Sequence, residues 1–158
     1  MTRDAAIGKK VYDRFVLQML TANGYNHDYT NKVHQWLATA ISPAQNDYVI
    51  SIDDRESDKS NEPGGAYTEV KPIEFRLGCA VGNNREVIYE MYDDVLRFFN
   101  EELSYFRGIF GNHFIPVPSG GGSLEIYNEG EYEIAEMSIV FDIHHRYETN
   151  YKYDTTNY

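Results

Sequence analysis

Three shortages in the sequence, of cysteine, of basic residues and of long apolar runs, each exclude a class of protein. Cys79 is the only cysteine in the 158 residues, so no disulfide can form within the chain. It lies on the apolar side of an alternating segment, which favours a small buried hydrophobic residue over a nucleophile. Residues 1–25 carry charges throughout and contain no unbroken apolar run. We therefore expect neither a signal peptide nor a membrane span, and a protein kept in a reducing cytoplasm or in a particle assembled there.

Basic residues are outnumbered by acidic ones, 14 against 25, which gives a formal net charge of −11. A surface that grips nucleic acid needs clustered Lys and Arg, and this sequence contains no such cluster. The same deficit argues against binding to anionic membranes. An acidic protein can still act beside DNA if its task is to repel it.

Tryptophan occurs once, whereas tyrosine occurs 14 times. Tyrosine combines apolar area with a polar hydroxyl group and is enriched at protein interfaces. It also favours β-strands, so the excess fits an interface-rich protein and a β-rich fold equally well.

The clearest local pattern is an alternation between Ile73 and Val81 that leads directly into a helical pattern. Every odd position in this range is apolar, and the charged residues take the other side. This period of two predicts a strand with one face on a core. Asn83 and Asn84 follow at the position of an N-cap, before a broad apolar helical face that runs to Leu103.

The remaining patterns predict one helix before this strand and further strands on both sides of it. Residues 4–21 place apolar side chains at successive i+4 steps and predict an amphipathic helix. The other predicted strands are 32–41, 48–52, 124–127 and a long segment that ends at Tyr147. Residues 104–123 are predicted to be irregular, with a flexible glycine tip at 120–122. The order α-β-β-β-α-β-β predicts an α+β fold, with two helices on one face of a mainly antiparallel sheet.

A single α+β domain, residues 1–147, accounts for these patterns. A charged segment at 53–69, punctuated by Gly and Pro, is predicted to be a long loop or a hairpin tip too polar to pack. Residues 148–158 lack an apolar period and are predicted to form a flexible C-terminal arm.

One enzymatic hypothesis arises at the same segment, a metal-dependent nuclease. Asp53, Glu69 and Lys71 imitate the spacing of sites in which two carboxylates bind Mg²⁺ and a lysine helps to activate water. The Glu-x-Lys pattern is common by chance in an acidic chain, and Pro72 argues against a central strand there. The surrounding negative charge is also unsuited to grasping DNA.

Two other patterns fail to make a chemical site. His144 and His145 are adjacent on a predicted strand, so they point to opposite faces and cannot chelate one metal together. The glycines at 120–122 are followed by no Lys-Ser or Lys-Thr, so they do not form a phosphate loop. We therefore expect no enzyme activity, no metal and no other cofactor.

The order and length of the elements, with the closing segment Ile139–Tyr147 (IVFDIHHRY), resemble the tail terminator, or tail completion, proteins of long-tailed bacteriophages. The resemblance covers residues 4–147, and head–tail neck (stopper) proteins share much of this architecture. It implies a virion protein without catalytic activity that forms a homohexameric ring. Such a ring caps the tail tube, ends tail elongation, contacts the neck protein, meets the sheath protein where the tail contracts, and lets DNA pass without specific binding.

Interface residues are predicted from the sequence alone, because no motif allows the family's residues to be transferred. The predicted contacts with the channel or the tail tube are four loop acids: Asp53, Asp54, Glu56 and Asp58. Tyr151 and Tyr153, in the tyrosine-rich C-terminal arm, are predicted to contact a neighbouring subunit. A neck protein of the same particle, and an α+β binding module with no phage role, stay open as alternatives.

Overall fold

A computed structural model describes residues 3–35, 42–55, 57–61 and 66–148. These residues contain seven strands of one sheet and three α-helices. The helices are α1 (Arg3–Gln18), α2 (Asn84–Glu101) and α3 (Leu103–Phe110). The strands are β1 (Val33–Gln35), β2 (Tyr48–Asp54), β3 (Asp58–Asn61), β4 (Ala66–Cys79), β5 (Ile115–Gly120), β6 (Glu125–Glu129) and β7 (Tyr132–Glu148). No helix in these residues is long and apolar enough to cross a membrane.

The strand order is β1-β2-β4-β7-β5, with β3 also pairing with β4 and β6 also pairing with β7. The β1–β2 pair is parallel, and every other pair in these residues is antiparallel. The longest pairing joins β4 to β7, from Ala66 opposite Glu148 to Cys79 opposite Ala135. The predicted α+β fold with a mainly antiparallel sheet is confirmed.

One face of this sheet packs on the helices and forms the core. The odd positions of β4 from Ile73 to Cys79 are buried, as the apolar alternation predicts. Phe15 of α1 contacts Phe75 of β4, with ring centroids 5.4 Å apart, and Phe99 of α2 contacts Phe141 of β7 at 4.5 Å. Burying one such side chain stabilises the fold by about 1.5–3 kcal/mol. Cys79 is fully buried, and burial raises the pKa of its thiol, so it is unreactive core.

Pro72 lies inside β4, a central strand of the sheet, so the expectation that this proline argues against a central strand is wrong. Asp54 of β2 is opposite Ile73 of β4, and Asp58 of β3 is opposite Val70 of β4. Between these two pairs, the chain from β2 to β3 advances by four residues while β4 advances by three. This one-residue shift of register resembles a β-bulge. The Arg55 N–H donates to the Pro72 carbonyl at 3.0 Å, so the proline nitrogen points toward the shift, where the ladder is already interrupted.

Of the two forms predicted for residues 53–69, the described residues show a hairpin, because Asp58–Asn61 of β3 pair with Tyr67–Val70 of β4. One other prediction changes. Residues 104–123 are not irregular but contain α3 and β5. Phe106 and Phe110 place one face of α3 on the core, where Phe106 stacks on Phe114. Two prolines in β5 and the short length of α3 obscure both elements in the sequence.

The cap and the glycines also differ from expectation. Asn83 occupies the N-cap of α2 but makes no side-chain cap hydrogen bond. The Asn84 side chain turns inward and donates to the Glu133 carbonyl at 2.9 Å. Gly121 is no free tip, because a Cβ there would lie 2.2 Å from the Ser138 carbonyl oxygen. Residues 36–41 of the predicted 32–41 strand and most of the predicted 148–158 arm lie outside the described residues.

Candidate functional site

The sheet face that points away from the helices, which we call the outer face, carries an alternating set of charges. The Arg76 guanidinium contacts the carboxylates of Asp53 and Glu74, each at 3.2 Å. Arg55 contacts the same two carboxylates, Glu74 at 2.7 Å and Asp53 at 3.7 Å. Two cations and two anions therefore neutralise one another. Asp53, a predicted channel residue, does lie on this face, but two arginines compensate its charge.

Beside this network the outer face contains a groove of about 210 Å³, which we call the sheet groove. Gly78 of β4 lines its floor, and a Cβ there would lie 3.1 Å from Pro43 and 3.3 Å from Val49. Its far wall is the link between β5 and β6, which crosses β7 in close backbone contact. Gly121 makes that approach possible with φ of 155°, and the Gly122 N–H donates to the Ser138 hydroxyl oxygen at 2.7 Å.

The sheet groove carries excess negative charge at the β6–β7 side. Glu125 and Glu136 are directly opposite each other in the β6–β7 register, and both line the groove. The Tyr127 hydroxyl donates to the Glu136 carboxylate at 2.5 Å. Partial burial and this hydrogen bond raise the pKa of Tyr127. Within the described residues Glu125 has no ionic or hydrogen-bond partner. Like charges opposite each other on neighbouring strands destabilise a sheet, so this pair is unfavourable in an isolated copy.

The β5 edge of the outer face is apolar but resists pairing with another strand. Ile115 and Val117 are 45% and 39% exposed. Pro116 and Pro118 alternate with them and cannot donate to a ladder, so their nitrogens point away from β7, at the free edge. A further strand would meet carbonyls without the matching donors. Contacts at this edge must therefore be made by side chains.

A second group of charges is buried on the helix side of the sheet, beyond the apolar core. We call it the buried charge cluster; its members are Arg3, Asp54, Glu69, Lys71 and His145. Lys71 is 2% exposed, and its ammonium group donates to the Arg55 carbonyl at 2.8 Å and contacts the Asp54 carboxylate at 3.2 Å. Gly8 of α1 lies so close to this carboxylate that a Cβ there would be 1.9 Å from Oδ2. Asp54 thus points to the helix side of the sheet, where its carboxylate pairs with Lys71; its predicted contact with a channel or tube stays a prediction.

The same cluster ties the start of α1 to the end of β7. Arg3 Nε donates to His145 Nδ1 at 3.1 Å, and Arg3 Nη2 donates to the Phe110 carbonyl at 2.8 Å. Because an arginine can only donate, His145 Nδ1 must accept, and its proton is on Nε2. Nε2 lies 3.2 Å from the Ser57 hydroxyl and 3.5 Å from the Glu69 carboxylate. A histidine in this tautomer donates to the serine and cannot remove its proton, so this is not an activated nucleophile.

The arrangement does not assemble the nuclease triad that the spacing imitates. Asp53 points to the outer face with Glu74, whereas Lys71 lies in the buried charge cluster on the other side of the sheet. The described residues also contain no group of three His, Cys, Asp or Glu side chains that could hold a metal ion. The three residues therefore cannot act on one phosphate together.

A third polar centre, which the sequence pattern did not indicate, holds the loop after α1. Asp94 of α2 is fully buried. Its carboxylate accepts hydrogen bonds from the Tyr29 hydroxyl at 2.8 Å and from the backbone and side chain of Asn26, each at 2.9 Å. Burial, followed by the nearby Asp94 charge, raises the pKa of Tyr29 strongly. Asp94 is therefore a structural residue. The sequence does not indicate this role, because the helical pattern places Asp94 on the polar face of α2.

The other predicted interface residues are not placed in detail. Asp58 begins β3, and only its backbone is described, whereas Glu56, Tyr151 and Tyr153 lie outside the described residues. No protein-family model matches the chain, and no curated protein matches it significantly in sequence.

Proposed function

We propose that this chain is a structural ring protein of a phage tail, a tail terminator. It caps the tail tube as a homohexamer, ends elongation and presents the surface to which the neck protein attaches. If the tail is contractile, the ring also meets the sheath protein. Its place is the head-proximal end of the tail in the virion, and DNA passes through its centre.

The observation that carries the proposal is the outer face of the sheet, which none of the described helices covers. The buried apolar core and the helices lie on one face of the sheet. The other face presents the ion pairs of Arg55 and Arg76 with Asp53 and Glu74, the sheet groove, and two exposed apolar side chains of β5. A sheet face whose charges neutralise one another and whose edge is apolar is suited to contact with another protein. Asp53 and Lys71, two of the candidate nuclease residues, lie on opposite sides of the sheet.

The charge of the chain supports a channel role. A net charge of −11 repels DNA phosphates, so a ring of several copies would let DNA slide without sticking. Most basic side chains that the structure describes are already engaged, as Arg55, Arg76 and Lys71 are by carboxylates. They do not present a basic patch that would hold a phosphate backbone.

Two experiments test the proposal. Purified protein, examined by light scattering after gel filtration and by negative-stain microscopy, should form rings; a strict monomer at high concentration contradicts the ring. Particles that lack the protein should carry overlong tails, since nothing ends elongation. Tails of normal length that fail to join heads would instead identify a neck protein.

A further inference from the structure

One cation in the described part of the chain, Arg85, stands out because it has no partner there. Arg85 makes no ion pair or hydrogen bond with any residue that the structure describes. It is exposed in the first turn of α2, at the positive end of the helix dipole, where a cation is disfavoured. Its neighbours Asn84 and Val87 are buried, whereas Arg85 is exposed on α2, the helix on the other side of the sheet from the groove.

The sheet groove has the opposite imbalance on the opposite side of the sheet. Glu74 and Arg76 satisfy each other within the outer-face network, which leaves Glu125 and Glu136 as uncompensated acids in the groove. Their positions directly across β6 and β7 make them repel. A guanidinium placed between them can donate to both carboxylates at once, because its five N–H groups form a planar fork.

We propose that Arg85 of one copy inserts into the sheet groove of the next copy, between Glu125 and Glu136. This inference rests on the proposed ring and names one of its contacts. The two surfaces lie on opposite sides of the sheet, so the contact is head-to-tail, and repeated head-to-tail contacts close into a ring when the rotation permits. One contact then relieves both the repulsion in the groove and the unfavourable position of Arg85.

Charge reversal at either surface tests the contact. Arg85→Glu and Glu125→Arg should each raise the concentration for half-assembly by at least about tenfold, because each places like charges together in the interface. Glu131→Arg is the matched control, since it makes the same charge change at an exposed position of the β6–β7 turn outside the groove. Both tested side chains are exposed, and circular dichroism melting should show that all variants remain folded.

Restoration separates a direct contact from a general charge effect. The double variant Arg85→Glu/Glu125→Arg should assemble again. An equimolar mixture of the two single variants should also assemble, because in alternating copies every interface joins one arginine to one glutamate, as either the native pair or the reversed pair. Rings of this mixture should contain an even number of subunits, as native mass spectrometry would show.

The outcomes distinguish this contact from the ring itself. Rings that survive both single reversals, or single variants that the double variant does not rescue, overturn the Arg85 contact and leave the ring proposal standing. A wild type that stays monomeric at high protein concentration and low salt overturns both. The single reversals could instead weaken assembly only when a tail-tube protein is present. The groove would then bind that protein rather than a second copy of this chain, which also overturns the contact.

Discussion

At the scale of single residues, the buried charges of this fold are held by specific partners. Lys71 and Asp54 are almost enclosed and face each other at 3.2 Å. Taking both ions out of water is costly, so such a pair adds little net stability when intact. The consequence appears when one partner is removed, because the remaining charge is buried without compensation.

Lys71→Met should therefore lower the free energy of unfolding by about 3–5 kcal/mol, although it keeps most of the side-chain volume. Lys9→Met is the control, since Lys9 also pairs with an aspartate, Asp13, but on the exposed face of α1. Its loss should stay below about 0.5 kcal/mol. Urea unfolding measures both variants, and equal losses would contradict an enclosed Lys71–Asp54 pair.

Tyr29 makes stability depend on alkaline pH. Its folded pKa is raised above the unfolded value of about 10, so the unfolded state loses its proton first as pH rises. The unfolded state then binds fewer protons, and stability falls above about pH 10, by up to about 1.4 kcal/mol per pH unit.

Tyr29→Phe should cost about 1.5 kcal/mol at pH 7, where it removes the hydrogen bond to Asp94. The variant has no phenol to ionise, so its disadvantage should shrink as pH rises from about 10 to 11. Urea unfolding at a series of pH values measures the difference. If the difference in the free energy of unfolding between wild type and variant stays constant with pH, Tyr29 ionises as readily in the folded protein as in the unfolded one.

Among the elements, β5 combines an exposed apolar surface with a blocked edge. Replacing Pro116 and Pro118 by valine restores two backbone donors at the free edge, beside the exposed Ile115 and Val117. We expect faster aggregation with thioflavin-positive β-structure, measured by light scattering and dye binding on heating. Ser119→Val is the control, because it adds apolar area to the same strand without a new donor; equal aggregation in that variant would contradict the role of the prolines.

The elements also differ in how well the sequence predicts them. The apolar alternation of β4 and the helical pattern of α2 are confirmed, because each buries a single periodic face. The sequence does not predict β5, because this strand depends on pairing with β7, whereas its own two prolines are typical of residues that interrupt strands. The placement of Asp53 and Asp54 on opposite faces follows from the strand period, but the enclosure of Asp54 depends on α1, far away in sequence.

At the scale of the whole molecule, net charge gives a further prediction. The wild type should not retard double-stranded DNA in a gel at about 50 mM salt, where any phosphate contacts would be strongest. Reversing four exposed glutamates of the β6–β7 hairpin to arginine, at positions 125, 129, 131 and 133, changes the charge by +8, from −11 to −3. That variant should bind DNA in a salt-dependent way and shows that the assay can detect binding. Retardation by the wild type would contradict a channel that repels DNA.

The hydrogen bond between Arg3 and His145 joins positions 142 residues apart. On a ribosome that adds about 5–20 residues per second, α1 waits roughly 7–28 s before its partner on β7 is synthesised. Until then the Arg3 guanidinium is hydrated and α1 has only part of its final environment. The cluster at this end of the sheet can therefore close only late in synthesis, and a chain truncated before His145 should leave α1 open to proteases.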